Sequence, residues 1–146
     1  MKTVSLNGTW NLYFNLESGK MPSTIEDVKA QKWHRIDAIV PGNIELDLQR
    51  AGIEGDPFYS QNLYNFRKYE FYQWWFEREF TIPEAFRGKD ILLRLKGLNT
   101  FGTIWINGKM AGQVSNMLIE HELDVTRLVK IGGQNHIAIR IESAIN

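Results

Sequence analysis

The 146-residue chain carries 17 Lys and Arg against 17 Asp and Glu, 43% hydrophobic and 12% aromatic residues, and no cysteine. A formal net charge of zero argues against the positive surface that nucleic acid or a polybasic membrane contact requires, and the absence of thiols excludes disulfides and thiolate-bound metal. The length is that of about one domain, taken as residues 1–146, with enough apolar side chains for a real core.

In chain order, "MKTVSLNGTW" lacks the apolar stretch of a signal peptide. A chain starting after a removed signal would look the same, so a periplasmic or secreted location stays open. "TWNLYFNL" (9–16) reads as a strand after the turn signal Asn7-Gly8. The polar segment 17–32 reads as a loop, and "WHRIDAIV" (33–40) as a strand stopped by Pro41-Gly42. One short helix is expected near 43–51. Asn43 caps it, Glu45 and Asp47 lie near the positive end of its dipole, Ile44, Leu48 and Ala51 share a face, and Gly52 ends it. Residues 53–70 are irregular and aromatic. Further strands are expected at 72–80, 91–96, 101–107, 110–115, 119–124 and 136–143, with Asn107-Gly108 signalling a type I′ hairpin. Short strands separated by turn signals predict an all-β, two-sheet antiparallel sandwich. No apolar run approaches the ~20 residues of a membrane helix.

The stretch "FYQWWFEREF" (71–80) raises a specific question, because neighbouring strand residues face opposite ways. Parity puts Tyr72, Trp74, Phe76, Arg78 and Phe80 on one face, the expected core face, where Arg78 needs a partner. Phe71, Gln73, Trp75, Glu77 and Glu79 fall on the other. Trp75 beside two carboxylates is therefore expected outside or half covered, and Trp74 inside.

Motifs for chemistry are sparse. His34, His121 and His136 have no ligand spacing, and neither a Gly-x-Ser-x-Gly nor a phosphate loop occurs; "GLNTFG" (97–102) is not a dinucleotide fingerprint. No metal or cofactor is expected. Glycoside hydrolysis needs two carboxyl groups about 5–10 Å apart, but Glu70, Glu77, Glu79 and Glu84 read more simply as a solvated strand face. Two loops combine aromatics or Met with amides: "DPFYSQN" (56–62) and the tip around Asn116 and Met117. Such groups suit a sugar, with its apolar face and hydroxyl rim, although Phe58 and Tyr59 read more simply as tacking down their own loop.

Taken together, "VPGNIELDLQRAGIEGDPFYSQN", "WWFEREFTIP", "GLNTFGTIWINGKMAGQVSNMLIEHELDVT" and "GGQNHIAIRIES" resemble the N-terminal sugar-binding domain of glycoside hydrolase family 2, in its β-mannosidase-like branch. The resemblance spans nearly the whole chain. It implies a jelly-roll sandwich of the galactose-binding-like kind. It also implies a parent retaining exo-β-glycosidase, of β-mannosidase or β-galactosidase type, whose two catalytic glutamates lie in a (β/α)8 barrel beyond an immunoglobulin-like domain. No catalytic residue is therefore assigned here. What the resemblance implies for this chain is a substrate-contacting role for Asn62 and Tyr59, with Asn116 second, partners being a β-linked sugar and the parent's remaining domains. It also gives Trp75 a candidate cover in another domain. The family's Trp-Asp-Trp segment and final strand do not follow "IESAIN", so a domain truncated before its last strand is expected. A freestanding carbohydrate-binding module and a structural sandwich without a sugar site are the alternatives.

Overall fold

The computed structural model describes residues 2–16, 21–41, 44–52, 72–95, 101–114 and 120–142. Its strands are β1 (Gly8–Leu16), β2 (His34–Val40), β3 (Tyr72–Thr81), β4 (Leu92–Leu95), β5 (Phe101–Ile106), β6 (Lys109–Val114), β7 (His121–Asp124) and β8 (Gln134–Glu142). Two short helices, α1 (Ile25–Ala30) and α2 (Ile44–Arg50), flank β2 in sequence. The strands form a six-stranded sheet ordered β2-β1-β3-β8-β5-β6 and a two-stranded sheet, β4-β7. Every paired strand is antiparallel. This is the expected antiparallel sandwich.

The inner face of the large sheet is built by strand alternation. Trp10, Ile104, Ile106, Ile137 and Ile139 pack with Ile91, Leu93 and Val125 of the smaller sheet and its flanks. Leu12, Phe14, Ile36, Ala38 and Trp74 extend the same face to Leu48 of α2. Arg78, the expected blemish, has its partners: its guanidinium donates to the carbonyls of Leu6 and Asn7, both at 2.6 Å. The hairpin between β5 and β6 turns on Asn107 and Gly108 at φ 52° and 82°, the two positive values a type I′ turn demands.

In α2, Leu48 is buried but Ala51 is exposed, so the expected apolar stripe is narrower than its spacing suggested; Asn43 lies outside the described residues. Asp47 does more than meet the dipole. Only 3% exposed, it accepts from the Ile39 amide at 3.1 Å and from Arg50 at 2.9 Å. That occupies an outward amide on edge strand β2, which would otherwise be open to pairing with another chain.

Two expectations fail together. The segment 17–32 is not all loop, and Trp75 is not outside. Thr24 caps α1 by accepting from the Asp27 amide, and the helix lies on the outer face of the large sheet. There Ile25 and Val28 bury Trp75 and Ala138, with Tyr13, Trp33 and Trp105 packed around them. Trp75 is 0% exposed and Trp74 6%. Parity sorted the side chains correctly, but the sandwich has a third layer, so both faces of β3 are buried here. Trp75 therefore needs no other domain to cover it. Its ring stacks on Trp105 at 5.1 Å, its Nε1–H donates to Gln73 at 2.8 Å, and Arg140 lies over both indoles.

A large side chain closed in by α1 should behave as core. Trp75→Ala is expected to lower unfolding free energy by about 3–5 kcal/mol, against no more than about 0.5 kcal/mol for a surface site. Urea denaturation followed by far-UV circular dichroism measures the difference.

Candidate functional site

Asn62 and Tyr59, with Phe58, and Asn116 lie outside the described residues, as do Met117 and Glu70. What the structure does bring together is a polar cluster on the outer face, beside α1, that sequence reasoning dismissed. Register explains its assembly. Asn11 pairs with both Asp37 and Glu77, giving a row Asp37–Asn11–Glu77 across β2, β1 and β3. One step along, Tyr13 pairs with Arg35 and Trp75. In the opposite direction Glu79 pairs with His136.

Glu77 is the hub. It is 4% exposed, not part of a solvated strand face. Its Oε1 accepts from Tyr13 Oη at 3.0 Å and Asn11 Nδ2 at 3.2 Å. Its Oε2 accepts from His136 Nε2 at 2.8 Å and Lys29 Nζ at 3.2 Å. Burial alone would raise its pKa; the hydrogen bonds from His136 and Tyr13 and the charge of Lys29 overcome that and lower it to about 2. Tyr13 is pushed up, first by burial and then by the adjoining carboxylate, so its phenol stays a neutral donor. Asn11 relays the network outward, accepting from Arg35, which also pairs with Asp37 at 2.9 Å.

Around this hub lies an open pocket of about 420 Å³. Asn11, Lys29, Arg35, Asp37, Glu79 and His136 are among its walls. A carboxyl group ionised down to about pH 2 is a poor general acid and a weak base at neutral pH, so Glu77 fixes its donors rather than moving protons. Among the described residues no group of His, Asp and Glu could hold a metal ion, and no helix is long and apolar enough to cross a membrane. The one sequence signal for the cluster was Thr24 ahead of Glu26 and Asp27, a helix-start pattern that places α1, and with it Lys29, against the sheet.

The comparisons with known proteins agree with this fold. The profile of the glycosyl hydrolase 2 galactose-binding domain-like family matches residues 23–146. The chain is 29% identical over 144 residues to the β-mannosidase of Rattus norvegicus, covering 98% of itself and 14% of that protein. It is 33% identical over 104 residues to β-mannosidase B of Thermothelomyces thermophilus, covering 71% of itself and 12% of the relative. Among solved structures, the β-D-mannosidase of Dictyoglomus thermophilum superposes with a TM-score of 0.76 at 30% identity, over 98% of this chain and 16% of the other. A β-glucuronidase from Faecalibacterium prausnitzii shares the fold at a TM-score of 0.66 and 19% identity, over 98% of this chain and 21% of its own. The chain belongs to the glycosyl hydrolase 2 galactose-binding domain-like family and resembles its β-mannosidase branch. It spans well under a fifth of the length of these mannosidases.

The depressed pKa makes Glu77 a stability determinant with a definite sign. Its folded value lies below its ordinary 4.5, so its contribution is complete above pH 4.5 and is lost as pH falls toward 2. Glu77→Gln should cost about 3 kcal/mol at pH 7. In urea titrations at stepped pH, the gap between the two proteins should close between pH 4.5 and 2.

Proposed function

We propose that this chain is the N-terminal accessory domain of a retaining exo-β-glycosidase of the β-mannosidase type, and that it performs no hydrolysis alone. The carrying observation is the disparity in coverage: the similarity takes in 98% of this chain and 14% of the rat β-mannosidase. On this reading the parent's catalytic glutamates and barrel lie in sequence this chain does not share. The environment of Glu77 supports it, because a carboxylate saturated with hydrogen-bond donors and titrating near pH 2 is an anchor rather than an acid catalyst. The partners on this reading are a β-linked sugar and the parent's other domains.

The same proposal gives the "DPFYSQN" loop to the sugar, with Asn62 and Tyr59 making the contact and Asn116 a second one. The freestanding-module alternative loses support from Trp75. It needed a row of exposed aromatics, and Trp75 is fully buried.

Two assays test the reading. The purified chain should not turn over nitrophenyl β-mannoside, β-galactoside or β-glucuronide, and measurable turnover would overturn it. In the parent enzyme, Asn62→Ala should lower kcat/KM for the nitrophenyl β-mannoside by about tenfold, the scale of one lost hydrogen bond to a bound sugar. An unchanged kcat/KM would remove Asn62 from the site.

A further inference from the structure

Asn-Gly occurs twice in the chain, at Asn7-Gly8 and at Asn107-Gly108. The pair has a chemistry of its own, because glycine has no Cβ to keep its nitrogen from the preceding side chain. That nitrogen can displace ammonia from the asparagine amide and close a succinimide ring. The structure treats the two pairs differently.

The side chain of Asn107 is fully engaged. Its Nδ2 donates to the Leu128 carbonyl at 2.8 Å and to Asn135 Oδ1 at 2.9 Å, and its Oδ1 accepts from the His136 amide at 2.9 Å. Asn135, only 2% exposed, is fixed in turn by Lys130 and Gly133. Asn107 must give up three hydrogen bonds to turn onto the nitrogen of Gly108.

Asn7 is exposed, and among the described residues its side-chain amide has no partner. Its main chain is engaged instead. The amide donates to Ser5 Oγ at 3.1 Å, and the carbonyl accepts from Arg78 Nη1 at 2.6 Å. The same Nη1 lies 3.0 Å from where a Cβ on Gly8 would stand, so this approach depends on glycine. Arg78 therefore polarises the peptide group whose nitrogen attacks. When the Gly8 amide loses its proton, the negative charge spreads onto the Asn7 carbonyl oxygen, where the guanidinium stabilises it. Gly8 is the first residue of β1 and pairs with Val40, the last of β2. Opening that one terminal pair, which frays most readily, frees its amide.

We propose that Asn7-Gly8 is a self-modification site that deamidates through a succinimide with Arg78 on the reacting peptide, while Asn107-Gly108 is locked against the same reaction. A bond forms between Gly8 N and Asn7 Cγ, the Cγ–Nδ2 bond breaks, and the Gly8 proton leaves with Nδ2 as ammonia. Water then adds to the main-chain carbonyl carbon of residue 7. The bond from that carbon to Gly8 N breaks, the nitrogen takes the proton, and the chain continues through Cγ as isoaspartate. Hydrolysis at Cγ instead gives aspartate. Arg78 favours the first outcome, because it polarises the main-chain carbonyl and ends paired with the carboxylate formed there. Neither a sugar nor a parent enzyme takes part, so this chemistry stands or falls apart from the accessory-domain reading.

Incubating the folded 146-residue chain at mildly alkaline pH, with peptide mapping by mass spectrometry, follows both pairs at once. Asn7 should convert, with Asn107 slower by about a hundredfold, the scale of three hydrogen bonds opened together. In urea the two should react at similar rates. Arg78→Met should slow Asn7 by about tenfold in the folded chain and leave its rate in urea unchanged. If that variant does not fold, the unmodified sequence still decides. Isoaspartate, read by isoaspartyl methyltransferase labelling, should take a larger share of the Asn7 product in the folded chain than in urea. No conversion at Asn7, Asn107 converting as fast as Asn7 in the folded chain, an Asn7 rate untouched in folded Arg78→Met, or an equal isoaspartate share folded and unfolded would each overturn the proposal.

Discussion

The outer face of the large sheet depends on one buried negative charge. Taking a carboxylate out of water is costly, and it persists only where donors replace its hydration. Glu77 meets that condition with four donors drawn from β1, α1 and β8. Each bond also positions the donor's own element. Tyr13 and Asn11 are held on β1, next to the edge strand, His136 lines the pocket, and Lys29 ties α1 down. A six-residue helix has little stability of its own. It stays in place because Ile25 and Val28 find an apolar bed on Trp75 and Ala138, with the Lys29–Glu77 pair beside that bed. Apolar contact and ion pair are thus two halves of one clamp.

The frame of the fold was legible in the sequence because its signals are local. Alternation in "HIAIRIES" predicts β8, Asn107-Gly108 predicts the β5–β6 turn, and parity sorts β3 into two faces, all of which the structure retains. The error over Trp75 came from adding a rule that parity does not contain. Two glutamates on a face suggest water, but here Glu77 is buried and Glu79 exposed on the same face of the same strand. What separates them is α1, whose two buried residues, Ile25 and Val28, are too few for helical periodicity to register. Its start signal at Thr24 was the available clue.

The polar pocket was not legible for a different reason. Its walls come from five elements, and Thr9 and His136 lie near opposite ends of the chain. No motif spacing links such residues; only the register of four adjoining strands does. Asn62 and Tyr59 are named because aromatics and amides sit together in one short stretch of sequence, and Asn116 because Met117 adjoins it; all three lie outside the described residues. Residues close together in sequence can be compared by reading along the chain. Chemistry spread over a sheet requires knowing which strands are neighbours.

The two faces of the large sheet are consequently held by different forces. The inner face rests on apolar burial between Trp10, Ile104, Ile137 and the smaller sheet, which salt and mild acid hardly alter. The outer face adds a charge whose stabilisation fades as Glu77 is protonated. Acid should therefore loosen α1 before it disturbs the sandwich, since elements held by few contacts open below the global unfolding free energy. Releasing α1 would expose Trp75, now 0% exposed, while Trp74 stays within the inner face. The adjacent tryptophans of β3 thus report on separate layers: one on the sandwich, the other on the helix laid across its back.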